Sequence, residues 1–306
     1  MPADTSKSTK AIMSGMRQLE IRTRRMVNDS FAGEYHSVFK GRGMDFDEVR
    51  EYSPGDEVRS IDWNVTARAG RPFVKKFTEE RELTILLMVD ISASGNFGSA
   101  HLSKRDLAAE LASVLAFSAI RNSDKVGLIL YTDRIERYLS PKKGRRHVLR
   151  VVRDILYHTP ESRATDTVKA LDVVNHVLHR RAIVFLISDF QSPGNSNKVQ
   201  AELRRAMRQT NRRHDLIAVQ IEDPREKQLP NVGILALEDA ETGEVIELDT
   251  TNPAVRKHFS ELSTDRARRL VNDFRSEGID TLELKTNVPY MPALQRFFKT
   301  RERRRP

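Results

Sequence analysis

A chain of 306 residues with 39% apolar content is long enough for one sizeable α/β domain with an attached segment, and too apolar for a disordered polymer. It has no cysteine, which excludes disulfides, thiolate metal sites and a cysteine nucleophile and fits a reducing, cytoplasmic setting. Its 52 lysines and arginines against 43 acidic residues give a charge of +9, with much of the excess at the ends: Arg22, Arg24 and Arg25 in front, and Arg301, Arg303, Arg304 and Arg305 behind.

Residues 9–28 read as an amphipathic helix, with Ile12, Met16, Leu19, Ile21 and Met26 roughly on one side. From 35 to 52, glycines at 41 and 43 imply extended pieces and turns, in which Asp45, Asp47 and Glu48, followed by Arg50, read as local salt-bridge partners rather than a cation site. Residues 57–69 predict a helix closed by Gly70, and 73–77 a strand. Trp63, the one tryptophan, is expected to pack this front segment on the sheet.

The next strand, 83–89, is apolar at every position except Thr84, as expected of a strand covered on both faces. As the longest apolar run, it falls far short of the ~20 residues that span a bilayer, and no signal peptide precedes it. It stops at Asp90, in the run LLMVDISASGNFG. The carboxyl end of such a strand is where open α/β sheets bind ligands. Ser92 and Ser94 follow at every second position and can aim two hydroxyls at one point, a set of hard oxygens suited to Mg²⁺ or Mn²⁺.

Ser103 with Asp106 predicts a capping box opening a helix that buries Leu107, Leu111, Val114, Leu115 and Ala119. Strands are expected at 126–131, 135–139, 183–188, 216–221 and 279–284. Helices are expected at 145–157, from the Thr165 region onward, at 198–210, at 253–277 and from Met291. Glu241-Thr242-Gly243 marks the turn of a hairpin over 234–248. This alternation means a largely parallel sheet with helices on both faces. Thr165 lies in a loop just before a helical pattern (Val168, Leu171, Val174, Leu178), and Asp189 ends a second buried strand as Asp90 ends the first.

D-x-S-x-S, a threonine opening a helix about 70 residues on and a strand-final aspartate together resemble the metal-ion-dependent adhesion site of von Willebrand factor A domains. The resemblance implies that Ser92, Ser94 and Thr165 touch the metal directly, and that Asp90 and Asp189 hold it mainly through water. Where that family has a glycine before the threonine, this chain has Arg163-Ala164, which leaves Thr167 as an alternative to Thr165. The string GRGMDFDEVREYSPGDEVRSIDW, followed by ARAGRPFVKKF, resembles the hallmark of the bacterial domain of unknown function 58 family, whose members couple such a segment to a von Willebrand-like domain. On that basis residues 1–80 are a helix and family-specific segment, 81–300 the von Willebrand factor A-like domain with a hairpin insertion at about 230–250, and 301–306 a basic tail.

The resemblance implies association with a MoxR-type AAA+ ATPase, and hence a metal-dependent adaptor whose partner or client supplies an acidic residue. An Mg²⁺-dependent phosphoester hydrolase and a nucleic-acid-binding adaptor using the basic ends are the alternatives. No phosphate-binding, dinucleotide or nucleophile-elbow motif occurs, and a dehalogenase-type phosphatase would need a carboxylate where Ser92 stands. Few aromatics accompany the basic ends, which disfavours nucleic acid. His176 and His179 lack a third ligand at metal spacing and read as a plain pair.

Overall fold

The computed structural model describes residues 45–78, 82–100, 102–191 and 197–304, together with Thr23, Tyr35 and Val38; for 45–48, 75–78 and 197 it describes the backbone alone. The helix expected at 9–28 therefore lies outside the described residues apart from Thr23, which is helical and buried.

In the front segment β1 (Asp45–Glu51) pairs antiparallel with β2 (Phe73–Thr78), and α1 (Trp63–Ala69) lies between them in sequence. The helix expected over 57–69 is broken into a short 3₁₀ turn at Val58–Ser60 and α1. Ile61 between them is extended and bridges to Val74, and Asp62 then caps α1 by accepting from the amides of Asn64 and Val65. Gly70 closes α1 in the left-handed conformation (φ 69°). Trp63 does not pack on the sheet: as the first residue of the capped helix it is 67% exposed. Arg50 pairs with Asp56 at 2.6 Å. Tyr35 and Val38, expected in extended pieces, are helical and buried, and the Tyr35 hydroxyl donates to Asp124 Oδ2 at 3.0 Å, which ties this segment to the main sheet.

The main sheet has six strands: β3 (Thr84–Asp90), β4 (Lys125–Tyr131), β5 (Ile135–Lys142), β6 (Ile183–Ser188), β7 (Asp215–Glu222) and, after the separate hairpin of β8 (Ile234–Glu238) and β9 (Val245–Asp249), β10 (Asp280–Lys285). Their order is β10-β7-β6-β3-β4-β5, all parallel except the edge strand β5. Alternation along β3 explains its apolar run. Ile85, Leu87 and Val89 face one core, with α2 (Lys104–Arg121), α3 (Arg145–Tyr157) and α7 (Met291–Arg304); Leu86 and Met88 face another, with α4 (Thr167–Val177), α5 (Asn197–Arg213) and α6 (Pro253–Ser276). The chain is thus a doubly wound α/β protein of the von Willebrand factor A-like kind, with β5 as its antiparallel edge. The strand order reverses between β3 and β6, which makes their carboxyl ends the switch point where such sheets bind ligands.

The basic end is not a tail as far as Arg304, because α7 runs to that residue. Arg301 is buried on Asp215 and Asp280, and Arg304 also reaches Asp280, at 3.3 Å.

Candidate functional site

Asp90 ends β3, and its carboxylate is fixed from two sides: Oδ1 accepts from the Ser92 amide at 2.9 Å and Oδ2 from the Ser188 hydroxyl at 2.8 Å. The chain then turns through a 3₁₀ segment, Ala93–Asn96, that holds the Ser92 and Ser94 hydroxyls 3.1 Å apart. The amide of Ala93 donates to the carbonyl of Arg163 at 3.1 Å, joining this loop to the one that carries Thr165. Thr165 and Thr167 part company there. Thr167, inside α4, is buried with its hydroxyl 3.3 Å from that of Tyr131, whereas Thr165 precedes the Asp166 cap and donates to Glu241 Oε1 at 2.9 Å.

Asp189 follows β6 directly. Phe190 after it adopts φ 54°, a left-handed conformation that costs energy in a non-glycine residue, and its amide donates to Ser188 Oγ at 2.9 Å. One Asp189 oxygen accepts from the Gln191 amide at 3.0 Å; the other is 2.5 Å from Lys104 Nζ, at the start of α2. Lys104 Nζ is also 2.5 Å from Glu226 Oε1.

These carboxylates crowd one another. Asp90 is pushed up to about 6, chiefly by withdrawal from water and then by the charge of Asp189. Glu241 is raised to about 7 by burial, with the charges of Asp90 and Asp189 adding to it and the Thr165 hydroxyl opposing. Burial works against the charge of Lys104, but Asp189 and Glu226 outweigh it and raise the ammonium pKa. Glu226 is raised as well, since its own burial exceeds what Lys104 gives back, so in this pair the cation is the better-stabilised member.

Around the switch point the described residues thus gather Asp90, Asp189, Glu226 and Glu241 with the ammonium of Lys104. Among the described residues no three His, Asp or Glu are grouped as a metal site of their own, so an ion held here would depend on the hydroxyls of Ser92, Ser94 and Thr165. One oxygen, Glu241 Oε2, is buried without a hydrogen-bond partner. An oxygen-only donor set with surplus negative charge and an orphaned carboxylate oxygen fits a hard divalent cation. His176 and His179 are both exposed, and α4 ends between them.

Four participants escaped the sequence reading. Ser188 and Lys104 sit within ordinary strand and helix patterns, and Glu226 in a polar loop. Glu241 lies in a stretch legible only as a hairpin turn. The available signal for Glu241 was topological: the hairpin follows β7, whose carboxyl end lies on the ligand edge of the sheet.

Residues 48–269 match the family described as "Protein of unknown function DUF58". Uncharacterized protein Rv1480 of Mycobacterium tuberculosis and uncharacterized protein Mb1516 of Mycobacterium bovis are each 31% identical over 294 residues, covering 95% of this chain and 90% of the relative. Among solved structures, BatB from Bacteroides thetaiotaomicron is similar with a TM-score of 0.44 at 14% identity, covering 72% of this chain and 99% of that one. The SpRpn10 VWA domain is similar with a TM-score of 0.40 at 12% identity, covering 72% and 95%. Both structural likenesses are distant, and the fold is assigned from the chain's own strand order. With most of its length matched by the family and relatives aligned almost end to end, the chain belongs to the DUF58 family.

Proposed function

We propose that this protein is a non-catalytic adaptor that binds an acidic group on a partner protein through a divalent cation, Mg²⁺ or Mn²⁺, at the β3/β6 switch point. The observation that carries the reading is the gathering of oxygen donors from three chain-distant loops, those of Asp90–Ser94, Thr165 and Asp189, at one sheet edge. Ser92, Ser94 and Thr165 would hold the ion with neutral hydroxyls, and Asp90 and Asp189 would hold it mainly through water. When bound, the ion supplies a positive centre with exchangeable ligand positions. Neutral inner donors leave it only partly neutralised, so a carboxylate from another protein is attracted. Family resemblance points to a MoxR-type AAA+ ATPase as partner, in a cytoplasmic chaperone or complex-assembly role. Among the described residues no helix is long and apolar enough to cross a membrane. Calorimetric titration with Mg²⁺ tests the site: wild type should bind, and Asp90→Ala should not while keeping a cooperative unfolding transition. Unchanged affinity in that variant would remove the assignment.

One observation favours a second reading, an Mg²⁺-dependent phosphoester hydrolase. Glu241, raised to about 7 beside the site, has the character of a general base. The adaptor reading stays first because a cation next to Glu241 would draw that value down again, so the base would be poised only when the ion is missing. Phosphoester turnover that co-purifies with the protein and vanishes in Glu241→Gln would reverse the order. The nucleic-acid alternative is weakened where basic side chains already have acidic partners: Arg301 is buried on acids, and Arg204 and Arg208 are paired with Asp273 and Glu277.

A further inference from the structure

The β8–β9 hairpin lies lightly on the molecule. Ile234, Val245 and Ile246 are all at least 60% exposed, and Leu235, Leu237 and Leu248 are only half-buried, so little apolar burial holds it down. Its turn, however, is tightly built. Asp239 Oδ1 accepts from the amides of Glu241 and Thr242 at 2.9 and 2.8 Å, and Gly243 takes a left-handed φ of 75°. The base is pinned where Thr250 bonds to Gly233 and Val232. The result is a stiff arm with a glutamate at its tip. That glutamate accepts the hydroxyl of Thr165, 76 residues away in sequence, and keeps its second oxygen buried and unpartnered. An arm with so little packing, carrying a partly buried carboxylate toward other carboxylates, is placed at a cost that some other interaction must offset.

We propose that Glu241 is the site's own acidic ligand: in the resting chain it fills the position beside Thr165 that a partner's carboxylate takes over, so the hairpin must swing aside for the partner to bind. This rests on the metal-dependent reading above. The proposal explains why Glu241 keeps an orphaned oxygen, and why the arm is stiff at its tip yet has no fully buried apolar side chain on either strand. It also makes the hairpin a selectivity filter, since only an acid that binds better than Glu241 displaces it.

Mn²⁺ serves as the probe, with affinity read by electron paramagnetic resonance and inner-sphere water by proton relaxation, in wild type, Asp90→Ala, Glu241→Gln and, as a control on the same turn, Glu244→Gln. Glu241→Gln should bind Mn²⁺ about tenfold more weakly, carry additional bound water, and let acetate displace that water at lower concentration than in wild type. Glu244→Gln should behave as wild type, and matching unfolding curves exclude misfolding. If Asp90→Ala abolishes binding while Glu241→Gln matches wild type in affinity and water, the metal site stands and the internal ligand is overturned. If wild type binds no Mn²⁺ at all, the metal reading falls and takes this proposal with it.

Discussion

Lys104 and Asp189 form an ion pair of 2.5 Å with both side chains under 5% exposed, so a buried ammonium stands at the back of the candidate metal site. It neutralises part of the charge that a cation in front would also neutralise. Replacing Lys104 with Met keeps the apolar stem but leaves Asp189 and Glu226 without their cation, and should destabilise the metal-free protein by about 3–5 kcal/mol. Added Mg²⁺ should recover part of that loss. Denaturant unfolding with EDTA and with Mg²⁺ reads both effects, and an unchanged midpoint in Lys104→Met would show that the pair contributes nothing.

The pH dependence of the metal-free protein follows from Asp90. Its folded value, about 6, lies above the ordinary 3.8, so between those values the native state keeps a proton that the unfolded chain releases. Stability from this group therefore falls as pH rises through that window, and the cost is complete above about 6. Glu241 acts in the same direction between 4.5 and about 7. Asp90→Asn should remove the Asp90 contribution, flatten the profile and stabilise the metal-free protein at pH 7 by roughly 1–3 kcal/mol. Thermal unfolding in EDTA from pH 5 to 7.5 measures this; parallel profiles for the two proteins would refute it.

Asp223 ties the loop after Asp90 to the far strand. It is fully buried and accepts from the Ser99 amide at 2.8 Å, the Ser99 hydroxyl at 2.5 Å and the Thr286 hydroxyl at 2.6 Å. Asp223→Ala strands those donors and should cost about 2–4 kcal/mol, with accelerated amide exchange at Ser99. A loss below about 1 kcal/mol would mean that the loop is held elsewhere.

The two glycines of the loop after Asp90 should respond differently. A methyl on Gly98 would sit 2.6 Å from the Leu102 carbonyl oxygen and from Ser103 Cα, both backbone atoms, whereas one on Gly95 meets nothing nearer than the Asp90 carbonyl at 3.9 Å. Gly98→Ala should destabilise by about 1–3 kcal/mol. Gly95→Ala should stay within about 0.5 kcal/mol of wild type. Equal effects in denaturant titration would contradict the described path of the loop.

What could be read in the sequence was local. The capping box of Ser103 and Asp106 is present because both partners lie within one turn, and the bounds of α3 and β6 follow from their apolar periods. Asp90, Ser92 and Ser94 were visible as one short motif. The single helix expected over 57–69 failed because Asp62 offers a cap that ends one segment and starts another, which helical periodicity does not weigh. Hidden were the contacts that only the fold makes. Lys104 meets Asp189 across 85 residues and Glu226 across 122, and Thr165 meets Glu241 across 76. Trp63 misled because a lone tryptophan suggests packing, while its place at a capped helix start turns it outward.

The central claim is that the β3/β6 edge engages its partner through a divalent cation, and binding to the MoxR-type ATPase proposed as that partner tests it most directly. Salt alone does not decide, because the +9 chain would lose affinity by screening in any case. Affinity should instead be measured at fixed ionic strength, with EDTA against Mg²⁺ and with Asp90→Ala against wild type. The account predicts tight binding only for wild type in Mg²⁺; equal affinity under all four conditions would contradict it.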